Sequence, residues 1–298
     1  MADGDDGDFR CGLIAIVGRP NVGKSTLVNR LVGARVTITS RKAQTTRHRV
    51  SGIVTTNDAQ FVFVDTPGFQ TKHRSRLNDR MNRTVTQSIA DVDAAIVVIE
   101  AGRTTDADRA VISLLPRGTP ALAVQNKLDR LKDRGALLPQ MAELGALDRF
   151  AAIVPVSADK GEGIDALLAE TRKLLPIGEA LFDVDAITDR DERFVAAEFV
   201  REKIFRLLGE EVPYATAVEI ERFVHEGEIR RIYATVYVDR ANQRAILLGA
   251  GGAQMKAIAS AARADMERMF GGPVFLTVRV RVRRGWAEDE ALLARFGY

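Results

Sequence analysis

Cysteine is almost absent: Cys11 is the one thiol in 298 residues. That excludes an internal disulfide framework and any metal site built from several cysteines, and it fits a reducing compartment. No stretch approaches the roughly 18 uninterrupted apolar residues of a membrane span, and no internal repeat is visible. The opening "MADGDDGDFR" is acidic and has no apolar centre, so it reads as neither a secretory signal nor a transit peptide. Residues 1–11 are expected to form a short disordered tail. A strong charge of one sign is missing as well. The formal net charge is +3, and residues 181–298 hold 18 Lys and Arg against 19 Asp and Glu. A nucleic-acid role for that part must therefore rest on local geometry, not on total charge. What remains, 46% hydrophobic and 28% charged, is the composition of a globular protein, and the length favours two domains.

Over the first 180 residues, short apolar runs recur: "LIAIV" (13–17), "FVFVD" (61–65), "AAIVVIE" (94–100), "ALAVQ" (121–125) and "AAIVPVS" (151–157). Such near-continuous runs, separated by helical or loop lengths, are strands buried on both faces by crossover helices. They predict a doubly wound α/β domain, whose ligands bind beyond the carboxyl ends of its strands. Pro, Gly and Asp around 176–191 mark a linker. Beyond it the texture changes to a helix over 193–209, alternating strands "YATAVEIERFV" and "RRIYATVYVDR", helix segments on either side of a glycine cluster, and a last strand "VFLTVRVRV".

The first apolar run leads into "GRPNVGKS" (18–25), a G-x-x-x-x-G-K-[ST] loop. Its glycines let backbone N–H groups wrap phosphates, Lys24 supplies a point charge to the β and γ groups, and the Ser25 hydroxyl is a ligand for Mg²⁺. "DTPG" follows the next run: Asp65 is placed to hold Mg²⁺ through water, and the Gly68 N–H to meet a γ-phosphate. In "AVQNKLDR", Asp129 can accept from N1–H and N2 of guanine, a pattern that adenine lacks. Asn126 can bond the base and nearby loops, the Lys127 stem can cover the ring, and the backbone around Ser157 and Ala158 can cap O6. A Thr hydroxyl in "TSRKAQTTRHR" (39–49), Thr46 before Thr45, can sense the γ-phosphate through Mg²⁺ and release it after hydrolysis. For any one residue there, a solvated basic loop is the alternative.

Two further absences are informative. Many GTPases set a water-positioning Gln just after the D-x-x-G glycine, whereas this chain has Phe69, so intrinsic hydrolysis is expected to be slow or differently organised. The Asn21 amide oxygen suggests a bound K⁺ beside the phosphates, standing in for an arginine finger. In "LLGAGGAQMKAIASAA" (247–262), a dinucleotide fingerprint fails at Gln254 and a phosphate loop fails because Lys256 is misplaced. What fits is G-x-x-G at Gly249 and Gly252 between two helices, the turn with which KH domains grip about four nucleotides. No basic residue stands between them, so the N–H groups of Ala250, Gly251 and their neighbours, with Lys256, must carry the contact. In the last strand, Arg279, Arg281 and Arg283 alternate with Val278, Val280 and Val282. The arginine row reads either as a phosphate track or as a solvated strand face.

"GRPNVGKST", "SRKAQTTRHR", "DTPG", "NKLD" and "SADKG", followed by the helix–strand–strand–helix–helix–strand module, resemble the Era family of bacterial ribosome-assembly GTPases. The resemblance runs from about Cys11 to Tyr298 and takes in "TDRDERFVAAEFVREKIFRLLGEEVPY" and "GWAEDEALLARFGY". It implies a P-loop GTPase domain over 12–180, a linker over 181–192, and a type II KH domain over 193–298. By position, Gly18 and Asn21, Val22, Gly23, Lys24, Ser25 and Thr26 would form the phosphate loop. Thr46 and Asp65 would serve Mg²⁺ and the switch, and Asn126, Lys127 and Asp129 would read guanine. The family's properties imply binding near the 3′ end of 16S rRNA, processing and assembly of the 30S subunit, and a cytoplasmic protein with peripheral inner-membrane association. A monomer is expected. A second reading keeps a nucleotide-gated RNA- or protein-binding module with a membrane or cell-cycle role and makes hydrolysis incidental. No lipidation motif or basic amphipathic helix favours it.

Overall fold

Where the sequence sets apolar runs, the computed structural model sets strands. It describes residues 9–40, 42, 45–69, 76–209 and 211–298. The chain divides into two compact units: Met1–Thr37, Thr46–Lys72 and Met81–Asp189 belong to the first, and Ile38–Thr45, His73–Arg80 and Arg190–Tyr298 to the second.

The elements up to the second unit's main segment are β1 (Arg10–Val17), α1 (Lys24–Val32), β2 (Val50–Thr55), β3 (Ala59–Asp65), α2 (Arg76–Ala90), β4 (Ala94–Glu100), α3 (Asp106–Ser113), β5 (Ala121–Asn126), α4 (Leu137–Gly145), β6 (Ala152–Pro155) and α5 (Ile164–Leu174). The six strands form one sheet in the order β2-β3-β1-β4-β5-β6, parallel throughout except for the β2–β3 pair. All of β5, and β4 up to Ile99, is buried, which is why these runs are apolar without alternation. Strand order reverses beside β1. The loops after β1, β3, β5 and β6 all leave the sheet's carboxyl edge, where ligands of such sheets bind.

One expectation is corrected and two readings are extended. Strand β1 starts at Arg10, so Arg10 and Cys11 belong to the sheet and not to a tail; residues 1–8 lie outside the described residues. Strand β2 is additional: "VSGIVT" carries Gly52 at its centre, where a Cβ would come within 2.8 Å of Val28 and 2.7 Å of Val32 on α1. The stretch expected as a linker is tied down over most of its length. Buried Gln60 accepts from the N–H groups of Leu181 and Phe182 and donates to the Phe182 carbonyl. Thr188 bridges Gly52, and the Asp189 carboxylate accepts from the Ser51 amide and hydroxyl.

The second unit contains α6 (Glu192–Leu207), α7 (Glu211–Tyr214), β7 (Thr216–Glu226), β8 (Ile229–Val238), α8 (Ala241–Leu248), α9 (Ala253–Phe270), β9 (Val274–Val282) and α10 (Glu290–Arg295). Its sheet runs β7-β8-β9, antiparallel and then parallel. Ile220, Ile232, Ala234 and Val236 point to one face, where they pack with Phe199 of α6, Leu247 of α8 and Ile258 of α9. The other face carries the alternate residues, and the C-terminal segment covers one end of it. Trp286 is fully buried there and donates to the Ala215 carbonyl at 3.0 Å; Phe296 stands 4.9 Å from the Tyr237 ring and 5.9 Å from Trp286. Among the described residues no single helix is long and apolar enough to cross a membrane.

Phe296→Ala removes a ring from this cluster while sparing the sole tryptophan. It should destabilise the second unit by about 3 kcal/mol and lower its urea midpoint by about 1 M or more, read from Trp286 fluorescence.

Candidate nucleotide-binding site

The loop between β1 and α1 winds through two left-handed residues, Asn21 (φ 65°) and Gly23 (φ 102°), before Lys24 opens the helix. Asn tolerates that region and Gly is free in it, so the loop can turn its amides inward. Asn21 is exposed and Val22 is buried beneath it. Lys24 is buried, and its Nζ donates to the carbonyls of Gly18 at 2.9 Å and Arg19 at 3.1 Å. Burial lowers its pKa to about 8, with Asp65 pulling the other way.

Facing Lys24, the end of β3 presents Asp65, fully buried. Its Oδ2 accepts from Ser25 Oγ at 2.8 Å and lies 3.4 Å from Thr46 Oγ1, and the two hydroxyls are 2.7 Å apart. Oδ1 is buried with no hydrogen-bond partner. Burial raises the Asp65 pKa to about 6 against the opposing pull of Lys24 and the hydroxyls. One carboxylate and two hydroxyls with a spare buried oxygen form a hard-oxygen donor set that suits Mg²⁺. Among the described residues no cluster of three or more His, Cys, Asp or Glu could hold a metal. The two threonines separate cleanly: Thr46 turns to Ser25 and Asp65, while the Thr45 hydroxyl contacts Ser40 Oγ and donates to the Lys42 carbonyl. Gly68 passes so close to Pro20 that a Cβ would meet it at 2.9 Å. The ring of Phe69 packs against the apolar cluster under β1 and β4.

The other half of the site is stitched together by Asn126. Its Nδ2 donates to the Val22 carbonyl at 2.8 Å and its Oδ1 accepts from the Ala158 amide at 3.0 Å, so one side chain joins three loops. Asp129 accepts from Ser157 Oγ. Lys127 has φ 70°, and its Nζ lies 3.3 Å from Glu100. Beside α1, Thr26, Asn29, Arg30, Ala34, Ala158 and Asp159 line a cavity of about 340 Å³, within the range of small-molecule pockets.

Sequence reasoning missed several supports. Glu100 anchors both Lys127 and Arg19; burial opposes its ionisation, but those two cations hold its pKa below the ordinary value. Arg30 donates to the carbonyls of Ala158 and Asp159, fixing the last loop from α1. Glu100 was legible in principle, as a charge closing an apolar run. Arg30 was not, because only the fold brings it to a loop 128 residues away.

In the second unit, the glycine cluster is the turn between α8 and α9. Gly249 (φ 69°), Gly251 (φ 57°) and Gly252 (φ 81°) are left-handed, and a Cβ on Gly249 would meet Gln254 at 2.7 Å. Ala250, Gly251 and Lys256 are exposed. The turn belongs to the helix layer, whereas Arg279 and Arg281 extend from the opposite face of the sheet, since Val278 and Val280 pack on the helix side. Val282 is 40% exposed, and Arg283 lies just beyond β9. The glycine turn and the arginine row are thus not brought together.

Residues 13–127 match the family described as 50S ribosome-binding GTPase, and residues 211–287 match the KH domain. The chain is 51% identical to GTPase Era of Chromobacterium violaceum, covering 98% of this chain and 99% of that protein. It is 52% identical to GTPase Era of Neisseria meningitidis, with 98% and 95% covered. Among solved structures, Aquifex aeolicus Era bound to GDP·AlF4⁻ superposes with a TM-score of 0.94 at 37% identity, over 97% of this chain and 99% of that one. An Era complex with MgGDPNP and nucleotides 1506–1542 of 16S ribosomal RNA gives 0.93 at the same identity and coverage. A chain that shares half its residues with these proteins from end to end, and their backbone besides, belongs to the Era family of GTPases.

Proposed function

We propose that this protein is a GTP-driven switch that grips the 3′ end of 16S rRNA through its second unit and assists processing and assembly of the 30S subunit. The observation that carries the reading is one chain holding both an Asn126-stitched nucleotide site and an exposed G-x-x-G turn. The relative whose complex holds MgGDPNP and 16S rRNA nucleotides 1506–1542 matches 97% of it.

GTP is the substrate. Backbone amides of residues 18–25 would surround its phosphates, and Lys24 would exchange its two carbonyl partners for phosphate oxygens. An anion there offsets the desolvation that depresses the lysine. Ser25, Thr46 and Asp65 would hold Mg²⁺, which when bound neutralises charge on the phosphates. Thr46 would then register the γ-phosphate, and its release after hydrolysis would free the segment before it. Asp129 would accept from N1–H and N2 of guanine, Lys127 would lie along the ring steadied by Glu100, and the backbone around Ser157 and Ala158 would cap O6. Phe69, packed inward, leaves no side chain there to orient water, and a K⁺ ion on Asn21 would supply the charge a missing arginine finger does not. For RNA, the amides of the 249–252 turn and Lys256 would hold a single-stranded backbone. The same reading puts the protein in the cytoplasm as a monomer, with any inner-membrane association peripheral.

Three outcomes test this. Hydrolysis should run several-fold faster in KCl than in NaCl, an advantage that Asn21→Ala should erase; equal turnover in the two salts overturns the cation assignment. Ala250→Asp with Gly251→Asp should abolish recovery of 16S rRNA from lysate while GTP affinity stays unchanged, and Lys24→Ala should lose GTP affinity and with it any difference in rRNA recovery between a GTP analogue and GDP. If the wild type recovers no 16S rRNA with either a GTP analogue or GDP, the RNA reading fails. Asp65→Asn should abolish Mg²⁺-dependent turnover yet stabilise the nucleotide-free protein. The unfolded carboxyl ionises near 3.8 and the folded one near 6, so this group removes stability as pH rises between those values and costs about 3 kcal/mol above them. Differential unfolding from pH 4 to 7 should show that slope in the wild type and not in Asp65→Asn.

A further inference from the structure

The arginine row on the open face of the second unit's sheet has no part in the glycine turn, yet its surroundings are those of a binding site. Register sets Arg222 opposite Tyr233 and Tyr233 opposite Thr277, and in the next row Thr235 lies opposite Arg279. A cavity of about 260 Å³ opens among Glu221, Arg222, Tyr233, Ala234, Thr277 and Arg279. That falls just under the roughly 300–1,000 Å³ of small-molecule pockets, so the cavity is too small to bury a whole drug-sized ligand. The single acid lining it is already engaged: Glu221 accepts from Thr235 at 2.9 Å and lies 3.6 Å from Arg281. Arg222 and Arg279 form no ion pair among the described residues. Two arginines outside any ion pair thus line one cavity with an aromatic ring, the Arg222 guanidinium 5.9 Å from the Tyr233 centroid, against a single carboxylate that is shared with Thr235 and Arg281.

The aromatic surface continues beyond Tyr233. Phe275, 45% exposed, stands 6.2 Å away edge-on, and the Arg231 guanidinium lies 5.1 Å from its centroid. Segment 286–298 covers only the Tyr237 end of this face, through Phe296 and the bidentate Arg295–Glu219 pair. The Tyr233 end is left open. Aromatic faces flanked by arginines on an open sheet are a platform for unpaired bases, each ring stacking a base while the cations take the phosphates. An acidic protein segment would satisfy the two arginines but would have no use for the half-buried Tyr233 ring between them or for the exposed Phe275 ring next to it.

We propose that this face is a second RNA contact: an unpaired base stacks on Tyr233 and its phosphate sits between Arg222 and Arg279, on the sheet face opposite the glycine turn. The inference rests on the RNA-binding reading above. A strand held at both places must pass from one layer of the second unit to the other, so short RNA would use the turn alone and long RNA both.

The test uses the full-length protein and two probes: nucleotides 1506–1542 of 16S rRNA, and a fragment of about six nucleotides from the 3′ end of that RNA. Arg222→Ser with Arg279→Ser, and separately Tyr233→Leu, should each weaken the long RNA by about tenfold and leave the short one unchanged. The arginine pair variant should also flatten the salt dependence of long-RNA binding by about 0.7 in log–log slope, the loss of one phosphate contact to a single strand. Wild-type Trp286 fluorescence and GTP affinity establish that the variants are folded. Unchanged affinity and slope for the long RNA overturn the proposal, as does equal weakening of both RNAs. If Ala250→Asp with Gly251→Asp binds both probes like the wild type, the G-x-x-G reading is what fails.

Discussion

Lys24 and Asp65 are both buried and electrostatically coupled, and each is driven by burial toward its neutral form. Everything at the carboxyl edge of the first sheet is arranged around that tension. The lysine lies back on the carbonyls of its own loop, and the carboxylate draws in the hydroxyls of Ser25 and Thr46 while one oxygen stays unmatched. Such a pair is costly to hold dry without further charge. On the proposed reading, phosphate for the cation and a divalent ion for the carboxylate would relieve both at once, so affinity for the nucleotide would derive from an electrostatic demand built into the folded chain.

Demand alone would not give selectivity. On the proposed reading that would come from Asn126, whose amide spans from the phosphate loop to the loop after β6, so the part that would hold phosphate and the part that would read the base are tied together. Arg30 and Glu100 add a second tier, fixing the loop at Ala158 and the stem of Lys127. Asp129, the acceptor proposed for guanine, is exposed in this structure, so on that reading its discrimination against the wrong base depends on the bound base covering it.

Much of this was legible before any coordinates. The apolar runs at 13–17, 61–65, 94–100 and 121–125 are strands, because a strand covered on both faces has no polar positions to show. The last strand, 274–282, also lies where alternation put it. Strand β2 escaped because its central glycine, demanded by the closeness of α1, removes a side chain from the pattern. Residues 181–189 run to the boundary of the first unit without regular structure, as their composition predicts, but Pro, Gly and Asp say nothing about whether a buried glutamine such as Gln60 holds them. In the second unit, spacing correctly put the valines of β9 on one face and the arginines on the other. It could not say that the helices carrying the glycine turn cover the valine side.

The segment 181–189 has a further consequence. Strand β2 is the outermost strand of its sheet, and an outermost strand with a free row of N–H and C=O groups invites pairing with another chain. Here the Ile53 amide is taken by the Ile187 carbonyl, Thr188 bridges Gly52, and the Ser51 amide is capped by Asp189. The chain thus closes its own sheet with a length of backbone that has no regular structure. The groups that cover β2 are made more than 120 positions after it, so during synthesis its outer row stays unpaired until residues 187–189 have emerged.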